Sequence, residues 1–236
     1  MTVYSNSSMI VALTITRFKS QSIPFAFLGM ALLRLPFWLN VKCSFWKLMG
    51  SGKDAQVDLG PDFKHWAMLT TWANREDCDR FYQHAFPVKW FRRFGAEEFT
   101  ILLKPLSAHG KWSGKQPFIF DRQEEKPSGK IAVITRAAIR PGKVKEFRSN
   151  IKRAAEAMRK ADGFVLSAGI GENPFLDQAT FSIWESPEAM KKYAYQSFDH
   201  SDVIKLTRDR KWYSEELFAR FAILESTGTL NGQSIN

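Results

Sequence analysis

Cysteine is scarce in this 236-residue chain: Cys43 and Cys78 are the only two, and they form no Cys-x-x-Cys pair. That argues against a disulfide framework or a cysteine-ligated zinc site, and lone thiols suit a reducing, cytoplasmic setting. Histidine is nearly as sparse. His65, His84, His109 and His200 offer no His-Glu-x-x-His and no pair at i, i+4, which argues against a metal held by several protein ligands. A Gly-x-Ser-x-Gly elbow for nucleophilic hydrolysis is missing too. The Gly-x-Gly at 169–171 lacks the third glycine of a dinucleotide fingerprint. It leads into Pro174 and a β-rich run, so it reads as a hairpin turn or bulge and not as a phosphate cradle. The longest apolar run, Ile23 to Leu33, is too short to span a bilayer and is closed by Arg34 and Pro36. It reads as a buried helix, or as one partly exposed to a membrane surface or lipid-like substrate. The N-terminus has neither a basic n-region nor a convincing cleavage site, so no signal peptide is expected.

What is present is aromatic and basic. Twenty Phe and eight Trp supply a core and suit a large apolar or conjugated ligand. The formal charge of +10 favours anionic partners, among them an acidic lipid surface or a small acidic electron carrier. Nucleic acid is not among the expected partners: Lys and Arg are scattered, and no zinc-finger or RNP-like motif occurs.

The chain also repeats itself. Thr16-Arg17 in IVALTITRF returns as Thr135-Arg136 in IAVITRAAI, and Phe45, Gly50 and Gly52 return as Phe164, Gly169 and Gly171. Trp72 matches Trp184, Tyr82-Gln83 matches Tyr195-Gln196, and Glu97-Glu98 matches Glu215-Glu216. The second half reads as a strand over 130–139 and a helix from Pro141-Gly142 with apolar residues at 3–4 spacing. A strand hairpin (164–169, 178–184), a helix after Ser186-Pro187 and a strand over 217–224 follow. The expected fold is therefore α+β: two tandem ferredoxin-like (βαββαβ) units, packed as a pseudo-dimeric α/β barrel. Unit 1 covers 9–105, a linker with an aromatic island covers 106–129, unit 2 covers 130–225, and 226–236 is a disordered tail. The linker island, WSGKQPFIF, is expected to pack on the first unit or line a cavity. The Glu-Glu pairs are expected as exposed charges at strand starts.

The halves differ where the second is longer, in QSFDHSDVIKLTRDRKW, which carries His200. One well-placed imidazole is enough for an axial ligand to haem iron, so this departure marks a candidate site.

FWKLMGSG (45–52), WSGKQPF (112–118), TRAAIRP (135–141), IGENPFLDQATFSIW (170–184) and WYSEELFARF (212–221) resemble the spheroidene monooxygenase family of acyclic carotenoid oxygenases. The resemblance runs from about residue 10 to 225. It implies a haem-dependent monooxygenase that hydroxylates, and further oxidises to a ketone, the C-2 methylene of an acyclic carotenoid, with O2 and reduced ferredoxin. His200 is the implied iron ligand. Arg17, Arg136 and Arg208 are candidates to pair with haem propionates, and Trp212 is a candidate beside the cofactor. Two alternatives stay open: another haem enzyme on this scaffold, dehydrating or haem-degrading, and a non-catalytic carotenoid or lipid binder.

Overall fold

The computed structural model describes residues 9–52, 61–121, 129–173, 176–196 and 210–235. Its first half runs β1 (Ile10–Phe18), α1 (Ile23–Leu32), α2 (Arg34–Leu39), β2 (Cys43–Gly52), β3 (Pro61–Trp72), α3 (Arg75–His84), α4 (Phe86–Phe94) and β4 (Gly95–Gly110). The second runs β5 (Ile131–Ile139), α5 (Val144–Arg159), β6 (Phe164–Asn173), β7 (Asp177–Trp184), α6 (Pro187–Gln196) and β8 (Tyr213–Gly228). Each half therefore repeats strand, helix, hairpin, helix, strand. The strands form one closed barrel in the order β1-β3-β2-β6-β7-β5-β8-β4, as the sequence patterning leads one to expect.

Strand alternation divides the chain into an inside and an outside. Val11, Leu13, Ile15, Ala67, Leu69, Phe99 and Ile101 meet Ala132, Ile134, Ala168, Phe181, Ala219 and Phe221 in a single interior cluster. An eight-stranded barrel is just wide enough for side chains to fill, and here they do. Outward residues of the first half, such as Ala12, Met68 and Trp72, lie under the helices with Phe37, Phe81 and Phe91. Trp72 and Trp184 hold matching places, each indole N–H bonding a hydroxyl two residues back, Thr70 at 2.9 Å and Ser182 at 3.1 Å.

The halves join about a pseudo-twofold axis visible in the register. Ser51 faces Ile170 on the β2–β6 seam, with Gly50 opposite Gly171. On the β4–β8 seam Phe99 faces Gly228, and Gly110 faces Leu217. Gly110 and Gly228 have φ of +86° and +78°, and a Cβ on either would strike the carbonyl of Glu216 or Glu98. Glycine is required at both places because the two chains approach so closely. Past each glycine the chain bonds back to the other half, Lys111 N–H to Glu216 O at 2.8 Å and Thr229 N–H to Glu98 O at 3.1 Å.

Three expectations are corrected here. Residues 226–235 are not a disordered tail: β8 runs on to Gly228, a turn follows, and Leu230 and Ile235 are buried in the barrel cluster. The aromatic island does not lie on the first unit alone. Trp112 contacts Phe45 of β2, its indole N–H donates to Glu172 of β6 at 2.7 Å, and Phe118 packs edge-on against Phe221 of β8. Of the paired glutamates, Glu216 is exposed near its strand start as expected, whereas Glu97, Glu98 and Glu215 are partly buried. Glu215 accepts from the N–H groups of Ser113 (2.8 Å) and Gly114 (2.7 Å), while Glu97 accepts from Gly232 N–H (2.6 Å) and Thr229 Oγ1 (2.7 Å). Each half's last strand thus holds the turn that follows the other half's last strand. For the tail and the glutamates the reason is shared: the backbone N–H groups of both turns need acceptors, and the repeat supplies a carboxylate at equivalent points.

Candidate functional site

With the barrel interior filled, space for a ligand lies outside it. A groove of about 370 Å³ straddles the β2–β6 seam. Outward positions with small side chains, Thr135, Ala137, Gly171 and Thr180, leave its floor low. At Gly171 the carbonyl of Asp177 already occupies the place of a Cβ, so a side chain cannot fill the floor there. Phe147 and Ile151 of α5 with Tyr213 of β8 form one wall; Phe27 and Met30 of α1 with Phe63 and Trp66 of β3 form the other. Phe27 reaches across to Phe63 and Trp66, with ring centroids 5.5 and 5.1 Å away. The walls are apolar and aromatic, as a long conjugated ligand requires.

Charged groups at the groove are mostly committed. Glu172 is held by Lys47 at 2.6 Å and by Trp112. Asp62 bonds Nδ1 of His65 at 2.6 Å. Arg34 differs: its Nε donates to Met30 O at 3.0 Å, and no carboxylate pairs with it among the described residues. Cys43 and Cys78 are both buried and free, and burial, the largest influence on each, pushes the thiols up to about 11 and about 12. Neither can supply a thiolate nucleophile near neutral pH.

The sequence-derived candidates fall in three places. His200 and Arg208 lie outside the described residues. Trp212 is fully buried behind the groove wall, 6.2 Å edge-on from Phe147, and its indole N–H has no partner. Arg17 and Arg136 occupy matching positions at the inward ends of β1 and β5, away from the groove lining. Arg17 pairs with Glu97 at 3.1 Å, whereas Arg136, only 4% exposed, pairs with Glu215 and with Asp177 at 2.6 Å. Both guanidiniums thus stand on the carboxylates that hold the crossing turns. Burial alone would raise the Glu215 carboxyl; the Gly114 and Ser113 N–H groups and Arg136 outweigh it and hold it below its ordinary value. Glu97 follows the same pattern with Gly232, Thr229 and Arg17.

Sequence reasoning missed Phe27, Met30, Arg34, Phe147 and Tyr213 as groove residues. Arg34 left one trace, as the charge that ends the apolar run; Phe27 and Met30 lie within that run, read as a buried helix or one partly exposed to a lipid-like substrate, and Phe147 reads as ordinary core. Among the described residues no three His, Cys, Asp or Glu side chains could hold a metal ion, and no imidazole lines the groove. His65 is buried on β3 with an unpartnered Nε2, while His84 and His109 are exposed.

Residues 130–223 match a family model described as a domain of unknown function (DUF3291). The chain is 32% identical over 227 residues to a spheroidene monooxygenase of Rhodobacter capsulatus, covering 95% of this chain and 94% of that protein. It is 33% identical over 196 residues to a spheroidene monooxygenase of Cereibacter sphaeroides, covering 81% of this chain but 59% of that longer protein. Among solved structures, an aldoxime dehydratase in complex with butyraldoxime superposes with a TM-score of 0.59 at 10% identity, over 95% of this chain and 83% of that one. That likeness is one of fold.

Proposed function

The chain belongs to the spheroidene monooxygenase family, and from that premise we propose that it is a haem-dependent monooxygenase acting on the C-2 position of an acyclic, spheroidene-like carotenoid. The near full-length relationship at 32% identity carries this reading. The groove agrees with it chemically. A flat macrocycle or polyene needs apolar, aromatic walls, supplied by Phe27, Trp66, Phe147 and Ile151. An anionic edge needs a cation that is not already paired, and Arg34 at the groove has no carboxylate partner among the described residues. At Gly50 a Cβ would meet nothing nearer than the Trp66 ring at 3.9 Å, so the missing side chain adds room on that side.

We assign to His200 the role of holding the haem iron, as the family resemblance implies. When bound, haem would supply the chemistry that inserts one atom of O2 into a C–H bond, with electrons from reduced ferredoxin. The protein's own part is positional. Phe27, Phe63 and Trp66 would hold the polyene end by its apolar length. Phe147, Ile151 and Tyr213 would exclude water from the reacting carbon, and Arg34 would fix an acidic edge. The alcohol so formed is the substrate for a second oxidation to the ketone.

Titration of the purified protein with haemin tests the cofactor assignment. Wild-type protein should bind haem with a Soret band that His200→Ala shifts or weakens, while Arg34→Ala should loosen binding without moving the band. A protein that leaves added haem spectrally unchanged contradicts the assignment.

A further inference from the structure

Among the described residues, most of the exposed large apolar side chains fall within residues 25–41, on α1, α2 and the turn after them. A helix that is apolar on every side is normally covered on every side, by protein or by lipid. Here protein covers one stripe, Ala26, Gly29, Leu33 and Phe37, spaced to form a single helical face. Opposite it Leu28, Leu32, Leu35, Trp38 and Leu39 are 46, 48, 57, 67 and 72% exposed. The patch continues onto α4. Phe25 stacks on Phe94 at 4.4 Å and meets Trp90, which in turn meets Phe86, itself 51% exposed.

The helix pair itself carries charge of one sign, and the acidic groups near it include Asp77, paired with Lys42 at 2.6 Å, and Asp62 at the groove. No Asp or Glu occurs before Asp54. Helical spacing puts Lys89 and Arg93 on the side of α4 that carries Phe86 and Trp90. Both are exposed, and among the described residues neither has a carboxylate partner. The mouth of the groove lies at the patch, since Phe27, Met30 and Arg34 belong to both the groove lining and this helix pair.

We propose that the α1–α2 face, flanked by Lys89 and Arg93, seats this protein on an anionic lipid bilayer with the groove opening at the membrane surface. The helices lie in the interface and do not cross it. By length and composition Ser20–Leu39 is apolar enough to span. Its two helices are short, however: α1, at ten residues, is about 15 Å long against a hydrocarbon core of about 30 Å. Its covered stripe is also tied down, with the Trp90 indole N–H donating to Phe25 O at 3.1 Å. An apolar helix pair with rings facing outward and cations at its rim can bind headgroup and acyl boundary together. The docking stands on this face alone; its purpose, moving an apolar polyene from the bilayer to the groove, rests on the function proposed above.

Co-sedimentation of the full chain with phosphatidylcholine vesicles, with and without phosphatidylserine, tests the proposal. Wild-type protein should pellet with vesicles, more strongly with phosphatidylserine, and less as salt rises. Leu35→Asp/Leu39→Asp, at positions outside the groove, should keep the thermal midpoint and lower partitioning about tenfold or more. Lys89→Glu/Arg93→Glu should abolish the preference for phosphatidylserine. Protein that stays in the supernatant with both vesicles overturns the proposal, as does a leucine variant that pellets like wild type. If the leucine variant instead turns a wild-type dimer into a monomer and vesicles capture neither, a second copy covers the face. Pelleting is read without substrate, so it fails independently of the oxygenase reading. Turnover of detergent-dispersed carotenoid tests that reading, and both proteins should retain it.

Discussion

Arg17 and Arg136 occupy the same position in the two halves and pair with equivalent glutamates, Glu97 and Glu215, yet their surroundings set them apart. The Arg17 side chain is 43% exposed, so its pair with Glu97 is screened. The Arg136 side chain is 4% exposed and sits between Glu215 and Asp177, 5.9 Å from the Trp112 ring. Removing it strands two carboxylates beside a buried ring. Arg136→Ala should therefore cost about 3–5 kcal/mol and Arg17→Ala no more than about 1 kcal/mol, both read from urea unfolding midpoints. Equal losses would show that burial does not separate the pair. At this scale the sequence is a poor guide. It displays a guanidinium but not what stands against it, so both arginines read as partners for a propionate. Arg34, at the groove with no carboxylate partner among the described residues, left only the end of an apolar run.

Elements were easier to read than contacts. The helix from Val144 and the strands around Ile131 and Trp184 follow from 3.6- and 2-residue periods and from Pro and Gly at their ends. The exceptions lie where packing overrides local pattern. Residues 229–235 are polar and short, with a single Leu and a single Ile, and carry no periodic signal; their order comes from Glu97 and from the barrel cluster in which Leu230 and Ile235 are buried. The groove escaped notice for a related reason. Its floor consists of outward strand residues, Thr135, Gly171 and Thr180, that alternation marks as unremarkable surface. Stopping the chain after Gly228 should remove Leu230 and Ile235 from the core and lower the thermal midpoint markedly. Loss of buried side chains of this size costs about 2–5 kcal/mol each. A truncated chain as stable as the full one would restore the view of this segment as a passive tail.

For the whole molecule, the two seams make one closed barrel of two matching halves, and the carboxylates at those seams link its stability to pH. Glu97 and Glu215 are both held below the 4.5 of an ordinary glutamate. Their stabilisation is complete above 4.5 and is lost as pH falls through their lower folded values. Glu98, raised chiefly by burial, acts in the opposite sense and is more easily protonated in the folded chain. The thermal midpoint should fall on acidification below about 4.5, and Glu97→Gln/Glu215→Gln should flatten that fall while lowering the midpoint at neutral pH. An unchanged acid limb would place the loss elsewhere. The same closure fills the barrel and sends the ligand outside, to a groove between the halves whose mouth lies at the apolar helix pair. The family relationship and this groove lead to one activity, which isotope labelling tests most directly. Protein, haem, reduced ferredoxin and an acyclic carotenoid are incubated under 18O2, and the product is read at the alcohol, before a ketone can exchange its oxygen with water. The prediction is a carotenoid carrying one 18O atom at C-2; an unoxidised polyene, or an alcohol whose oxygen derives from water, would contradict it.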